Sequence, residues 1–170
     1  MQLEILTVGK IKEQYLAAGI AEYLKRLSSY ANVIIREVKA EKVPEGVSAA
    51  EEERLLEEEA ARLNKLIKPG TYLIALDLAG EQLTSLQFAA RLDSLATAGK
   101  SHFTFIVGGS LGLSSGLRRK ADLCLSFSAM TFPHQLFRLI LLEQIYRALK
   151  INRGEPYHKG TGDLSQCKNR

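Results

Sequence analysis

Apolar positions alternate with polar ones in some segments of the chain and recur at helical spacing in others. These two periods predict its strands and its helices. Alternating or continuous apolar runs predict strands at 2–8, 32–38, 72–77, 103–107 and 123–127. Apolar residues at helical spacing predict helices at 12–29, 48–67, 84–98 and 133–150. Because strands alternate with helices, we expect an α/β fold with a mostly parallel sheet and helices on both faces.

The last predicted helix is apolar nearly all round, from Leu136 to Leu149. A helix of this kind must be covered on more than one side. The sheet can cover one side, and a second subunit is the simplest cover for the other. Burial of the whole helix within one large core is the alternative.

Length and composition indicate one ordinary globular domain. The chain has 170 residues, of which 46% are hydrophobic, and no apolar run is long enough to span a membrane. The N-terminus lacks the pattern of a signal peptide, so we expect a cytoplasmic protein. Its two cysteines and three histidines show no metal-ligand spacing, which predicts a reduced protein without a metal.

The charge is divided unevenly along the chain. Residues 1–60 hold 8 Lys and Arg against 12 Asp and Glu, whereas residues 61–170 hold 15 against 7. A basic half suggests an anionic partner, above all a nucleic acid. A solvated surface that happens to be basic is the plainer interpretation.

Two predicted strands end in loops suited to a ligand. The strand at 103–107 leads into Gly108-Gly109-Ser110-Leu111-Gly112, and the strand at 123–127 leads into residues 128–133. Ligands of open α/β sheets bind outside the carboxyl ends of strands, and glycines allow backbone to approach closely. The glycine spacing matches neither a P-loop nor a dinucleotide fingerprint. A turn that requires positive φ is the alternative role of these glycines.

Polar residues near these loops have more than one possible role. Asp77, at a strand end, could accept hydrogen bonds from a ligand or serve as a turn acid. His134 and Arg138 lie one helical turn apart and could face one site. A structural ion pair is the competing role of Arg138.

Four segments together resemble one known family. They read LD at 76–77, FTFIVGGSLGL at 103–113, LSFSAMTFPHQLFRLILLEQIYRA at 125–148 and INRGEPYHK at 151–159. In this combination they resemble the SPOUT class of methyltransferases over residues 1–159. The resemblance implies a C-terminal trefoil knot and a homodimer whose active site draws on both subunits. Together with the chain length, it predicts a single domain over residues 1–159. The polar, glycine-rich segment 160–170 is expected to be disordered or not part of the natural chain.

The resemblance implies a reaction and a set of site residues. The methyl donor would be S-adenosyl-L-methionine, without a metal, and the acceptor N3 of a pseudouridine in helix 69 of 23S rRNA, within the large subunit or whole ribosome. Donor-binding residues would be Leu76, Gly108, Phe127, Ser128, Ala129, Met130, Thr131 and Phe132. His134 and Lys159 would bind the nucleotide, and Arg138, Tyr157 and His158 would be catalytic.

Other functions remain open from the sequence. Another SPOUT methyltransferase could act on tRNA or on a different rRNA site. A non-catalytic rRNA-binding module is an alternative of a different class, and it need not bind the methyl donor. The proton of N3 could pass to His158 or to solvent.

Overall fold

The protein is described by a computed structural model that covers residues 1–157. Five strands and five helices occur in this range. The strands are β1 (Gln2–Val8), β2 (Asn32–Val38), β3 (Tyr72–Gln82), β4 (His102–Val107) and β5 (Leu123–Ser126). The helices are α1 (Gln14–Leu27), α2 (Ala49–Asn64), α3 (Ser85–Thr97), α4 (Ser115–Lys120) and α5 (His134–Asn152). The extension predicted at 160–170 lies outside the described residues.

The five strands form one sheet in the order β2-β1-β4-β3-β5, and every neighbouring pair is parallel. The predicted α/β class with a parallel sheet is therefore confirmed. Parallel strands place their carboxyl ends at the same edge, so the loops after β4 and β5 meet there, beside the irregular stretch of β3 between Leu76 and Glu81. The trefoil knot implied by the resemblance stays a prediction.

Helices cover both faces of the sheet, as predicted. One core contains Leu3 and Ile5 of β1 together with side chains of α1, α3 and α5. The other contains Leu6 and Val8 with side chains of α2 and α4. Successive residues of a strand point to opposite faces, which explains why the apolar runs of the central strands are continuous.

Two of the helices begin at side-chain caps that the sequence indicates. The Ser48 hydroxyl accepts the N–H of Glu51 at 3.3 Å, while the Glu51 carboxylate pairs with Arg54. At α3, Thr84 and Gln87 exchange side-chain and backbone hydrogen bonds in a complete capping box. These bonds satisfy N–H groups that have no partner within the helix.

Strand β3 is longer than predicted. The sequence suggests a strand end at Asp77 and a turn at Ala79-Gly80, but pairing with β5 resumes at Glu81 and Gln82 after an irregularity. At Gly80, a Cβ atom would lie 2.7 Å from the backbone of Cys124 and Leu125. This glycine therefore permits a close backbone approach, and it does not mark a turn.

Helix α4 was absent from the sequence prediction. It has only six residues, begins at the Ser114 side-chain cap and buries Leu117 against the second core. A single buried leucine gives no periodicity that can be detected. The Ser114 cap is the only local signal for this helix.

Helix α5 packs between α1 and α3 on one face of the sheet. Leu141, Leu142 and Ile145 are fully buried within the single chain. Leu136 and Ile140 stay half-buried. None of the helices described in residues 1–157 has the length and apolarity needed to cross a membrane.

A buried arginine joins α5 to the carboxyl ends of β1 and β2. Arg138 is 1% exposed, and its Nη2 donates to the carbonyls of Val8 at 2.5 Å and Gly9 at 2.9 Å. Its Nη1 pairs with the Glu37 carboxylate at 2.9 Å. A buried charge is costly unless it is paired and hydrogen-bonded, so these three acceptors make the position of Arg138 tolerable.

We expect Arg138→Met to lower the free energy of unfolding by about 3 kcal/mol, because two strand-end carbonyls and Glu37 would lose their donor. Urea denaturation measures this loss. Arg54→Met is the matched control, since Arg54 pairs with Glu51 and Glu58 on the surface of α2 and should matter little. Equal losses in the two variants would contradict the role assigned to Arg138.

Candidate active site

A cavity of about 560 Å³ lies where β4 and β5 end and where the pairing of β3 with β5 is interrupted between Leu76 and Glu81. Its walls come from the strand ends, the glycine-rich loop after β4, the loop after β5 and the first turn of α5. Eight residues predicted from the sequence line it: Leu76, Gly108, Phe127, Ser128, Met130, Thr131, Phe132 and His134. The two loops that the sequence suggested as a ligand site are therefore brought together.

The glycine-rich loop folds back tightly on itself. Gly109 and Gly112 form a backbone bridge, in which the N–H of Gly112 donates to the carbonyl of Gly109 at 3.2 Å. A Cβ atom on Gly108 would lie 2.2 Å from the Gly112 carbonyl oxygen, so no other residue fits. Gly112 has φ +85°, a conformation that side chains disfavour. The loop thus needs glycine both for close approach and for positive φ.

The loop after β5 is held by short-range hydrogen bonds. The Ser126 hydroxyl donates to the carbonyl of Ser128 at 3.0 Å, and the Ser128 hydroxyl accepts the N–H of Met130 at 2.9 Å. Met130 is 74% exposed, which leaves a large apolar side chain in solvent at the cavity rim. Ala129 is exposed in the same loop but does not line the cavity.

Aromatic rings build one wall of the cavity. Phe127 and Phe137 lie 5.1 Å apart between centroids, and Phe132 stacks on Phe137 at 6.2 Å. Phe88 of α3 contacts Phe127 edge-on from the core side. These contacts tie the loop after β5 to α5, and they give the cavity an apolar surface.

A charge pair also lines the cavity, and the sequence indicated only one of its two members, Asp77. The Asp77 carboxylate accepts the N–H of Ala79 at 2.9 Å and pairs with Arg118 of α4 at 3.5 Å. Both Asp77 and Arg118 line the cavity. Asp77 is therefore a turn acid and a cavity residue at once. Arg118 was missed because α4 was missed.

His134 lies at the start of α5, half-buried in the cavity wall. Burial lowers the pKa of its imidazole below the ordinary value, and the charges of Arg138 and Lys12 lower the pKa further. The ring is therefore neutral near pH 7, and one nitrogen can donate a hydrogen bond while the other accepts one.

Arg138 does not line the cavity in this chain. Its guanidinium is engaged with Glu37 and with the carbonyls of Val8 and Gly9, which is the ion-pair role that the sequence left open. It lies one turn after His134, so it holds the start of α5 in place. Direct action on a substrate would require Arg138 to leave these partners, and its catalytic role stays a prediction.

Tyr157 lies at the other end of α5. Its hydroxyl bonds to Tyr23 and Glu143, and the Arg147 guanidinium covers its ring at 4.8 Å. The ten helical steps from Phe137, at the cavity, to Arg147 span about 15 Å of helix axis. Tyr157 therefore does not reach the cavity of its own chain. His158 and Lys159 lie outside the described residues.

Within residues 1–157, no group of three or more His, Cys, Asp and Glu side chains is arranged to hold a metal ion. The cavity instead offers apolar walls, backbone groups of two loops, one charge pair and one neutral imidazole. Such a set suits an organic ligand with both apolar and polar parts.

Comparison with known proteins identifies the family. The family model described as "Predicted SPOUT methyltransferase" matches residues 1–158. Proteins named ribosomal RNA large subunit methyltransferase H from Bacillus cytotoxicus and Exiguobacterium sp. are 56% and 55% identical over 159 residues, which are 94% of this chain and all of theirs. The crystal structure of the SpoU methyltransferase AviRb from Streptomyces viridochromogenes, in complex with AdoMet, aligns with a TM-score of 0.42 at 16% identity, over 89% of this chain and 58% of that chain. The match of nearly the whole chain to the family model means that this protein belongs to the SPOUT methyltransferase family.

Proposed function

We propose that the protein transfers a methyl group from S-adenosylmethionine to N3 of a pseudouridine in helix 69 of 23S rRNA. The observation that carries this proposal is a cavity at the ends of β4 and β5 in a chain 56% identical to a named rRNA large subunit methyltransferase. The resemblance of the 103–113 and 125–159 segments supports the nucleotide and the position. The cytoplasm, where ribosomes are assembled, would be the site of action.

The cavity is suitable for S-adenosylmethionine in size and lining. Small-molecule sites usually enclose about 300–1,000 Å³ and combine apolar walls with a few polar groups. Leu76 and Phe127 would contact the apolar parts of the donor, and the backbone at Gly108 and 128–132 would meet its polar groups. When bound, the donor supplies a methyl carbon on a sulfonium, which is already a strong electrophile.

The protein has two tasks in this reaction. It must align the acceptor nitrogen with the methyl carbon and exclude water from the cavity. It must also accommodate the negative charge left when N3 loses its proton, which a nearby cation stabilises. Neutral His134 can hydrogen-bond the base at the cavity wall. Lys159 would supply the cation, and His158 or solvent would take the proton.

A homodimer would complete the site. Leu136 and Ile140 lie one turn apart on α5 and remain half-buried in the single chain, so a second copy can cover them. Tyr157 lies about 15 Å along α5 from the cavity of its own chain. A partner related by two-fold symmetry can bring its own tail to that cavity, which gives two composite sites for each dimer.

The ribosome is the proposed form of the substrate. The net charge of +4 is modest. Residues 1–157 form one five-stranded sheet with its covering helices, and this range contains no separate RNA-binding domain. Affinity for free RNA grows with the number of phosphates that the protein neutralises. A protein of modest charge neutralises few phosphates, so contacts with other parts of the ribosome would raise its affinity. A SPOUT enzyme acting on tRNA or on another rRNA site is the second candidate.

We expect Gly108→Ala to weaken binding of S-adenosylmethionine at least tenfold, because the added Cβ would overlap the Gly112 carbonyl and displace the loop. Calorimetric titration measures the affinity, and circular dichroism checks the fold. Gly116→Ala is the matched control, since a Cβ there meets only ordinary contacts beyond 3.6 Å. A folded Gly108→Ala protein with the affinity of the wild type would remove the loop from the donor site.

We expect activity to be restored when two inactive variants share a dimer. One variant is Gly108→Arg, whose long side chain beside the Gly112 carbonyl should abolish donor binding, and the other ends at Glu155, which lacks the tail. Each should be inactive alone, and random mixed dimers should recover about a quarter of the wild-type rate, through one complete site in half of the dimers. Different affinity tags verify the mixed dimers. If verified mixed dimers stay inactive, the tail does not act on the partner's cavity.

We expect methylation of assembled ribosomes at a rate at least tenfold above that of protein-free 23S rRNA, because naked RNA lacks the additional contact surface. Both substrates should come from cells that lack this enzyme. Labelled donor, nuclease digestion and mass spectrometry locate the methyl group. Equal rates would show that ribosomal contacts are unnecessary, and methylation of tRNA instead would favour the second candidate.

A further inference from the structure

Four tyrosines gather at the C-terminal ends of α1 and α5, and we name them the tyrosine cluster: Tyr23, Tyr30, Tyr146 and Tyr157. Tyr146 occupies the centre. Its ring centroid lies 6.0 Å from that of Tyr23, 5.7 Å from that of Tyr30 and 5.0 Å from that of Tyr157. All three contacts are edge-to-face, a favourable arrangement of aromatic rings.

A chain of hydrogen bonds holds Tyr157 within this cluster. The hydroxyls of Tyr23 and Tyr157 lie 3.2 Å apart, and the Tyr157 hydroxyl donates to the Glu143 carboxylate at 3.3 Å. Because a tyrosine hydroxyl has one proton, Tyr23 must be the donor to Tyr157. The Arg147 guanidinium covers the Tyr157 ring at 4.8 Å.

A second attachment precedes Tyr157 by two residues. The Glu155 carboxylate accepts from the Tyr30 hydroxyl and from Lys150 Nζ, both at 2.5 Å. The Arg153 guanidinium lies 4.3 Å from the centroid of the Tyr30 ring. The segment 153–157 is therefore held at both of its ends, although a chain terminus without such contacts usually frays.

These contacts leave Tyr157 little freedom to act on a substrate. Its hydroxyl is engaged on both the donor and the acceptor side, and one face of its ring is covered. Burial raises the pKa of the Tyr157 phenol well above its ordinary value, and the Tyr23 bond and the Glu143 charge raise it further. The phenol stays protonated at neutral pH, so it does not serve as a general base.

We propose that Tyr157 is a positioning residue and that the tyrosine cluster anchors the C-terminal segment. His158 and Lys159, which are proposed to act at the partner's donor site, follow Tyr157 directly in the sequence. A fixed Tyr157 lowers the conformational entropy that these two residues lose on reaching the transition state. This preorganisation lowers the activation barrier. This inference rests on the proposed role of the tail, and it reassigns Tyr157 from catalysis to positioning.

A double-mutant cycle on Tyr23 and Tyr157 tests the anchor. Tyr23→Phe and Tyr157→Phe each remove the hydroxyl–hydroxyl bond and keep the ring. We expect Tyr23→Phe to lower kcat on ribosomes about two- to fivefold, in line with the loss of one hydrogen bond. Tyr157→Phe also loses the bond to Glu143 and should lower kcat at least as much. The double variant should lose no more than the larger single effect, since the bond that Tyr23→Phe removes is already lost in Tyr157→Phe. The affinity for S-adenosylmethionine should stay within about twofold of the wild type, because neither tyrosine lines the cavity.

Tyr15→Phe is the matched control, because Tyr15 lies on the same helix as Tyr23 and is 70% exposed. It should retain the wild-type kcat. A Tyr23→Phe enzyme with the wild-type kcat, or single effects that multiply in the double variant, would overturn the anchor and favour direct contact of Tyr157 with the nucleotide.

Amide hydrogen exchange tests the anchor without turnover. Exchange at residues 153–157 should accelerate in Tyr23→Phe and not in Tyr15→Phe, because only the former loosens the segment. Unchanged exchange in Tyr23→Phe would also overturn the anchor. A wild-type protein that methylates no RNA would refute the proposed function, whereas the exchange experiment would still decide whether the cluster holds the segment.

Discussion

The site depends on the hydrogen bonds and the ion pair that the buried guanidinium of Arg138 makes with the ends of two strands. The guanidinium binds the carbonyls of Val8 and Gly9 at the end of β1 and the carboxylate of Glu37 at the end of β2. A charge that is 1% exposed is stable there only because strand-end carbonyls and an acid surround it. This interaction sets the start of α5 against the sheet. His134, one turn earlier, is thereby placed in the wall of the cavity.

A single straight helix then separates two parts of the proposed reaction. The first turn of α5 lines the cavity, whereas its last turns carry Tyr146 and Lys150, which contact Tyr157 and Glu155. A helix is stiff over this length, so Tyr157 stays about 15 Å from the cavity of its own chain. This separation supports the proposed homodimer, in which the tail acts at the partner's cavity. A homodimer also agrees with the half-buried apolar face around Leu136 and Ile140.

Most elements could be predicted because each strand and long helix has a strong local pattern. The β2 prediction coincides with the structure, and the helix predicted from residue 84 begins at its Thr84 cap. The failures have physical causes. Helix α4 buries only Leu117, too little for a periodic signal. Strand β3 passes through Gly80, which resembles a turn in the sequence but packs against the backbone of β5.

The sequence by itself determined the order of the strands and long helices, the parallel sheet and the two loops that line the cavity, because apolar period and glycine content are local properties. Tertiary structure decided which role each polar side chain has. Arg138 could equally have faced a ligand until the strand-end carbonyls were seen around it. Tyr157 is 134 residues from Tyr23, and the bond between them exists only because α1 and α5 pack side by side. Partners so distant in sequence leave no local pattern, so only the folded chain reveals them.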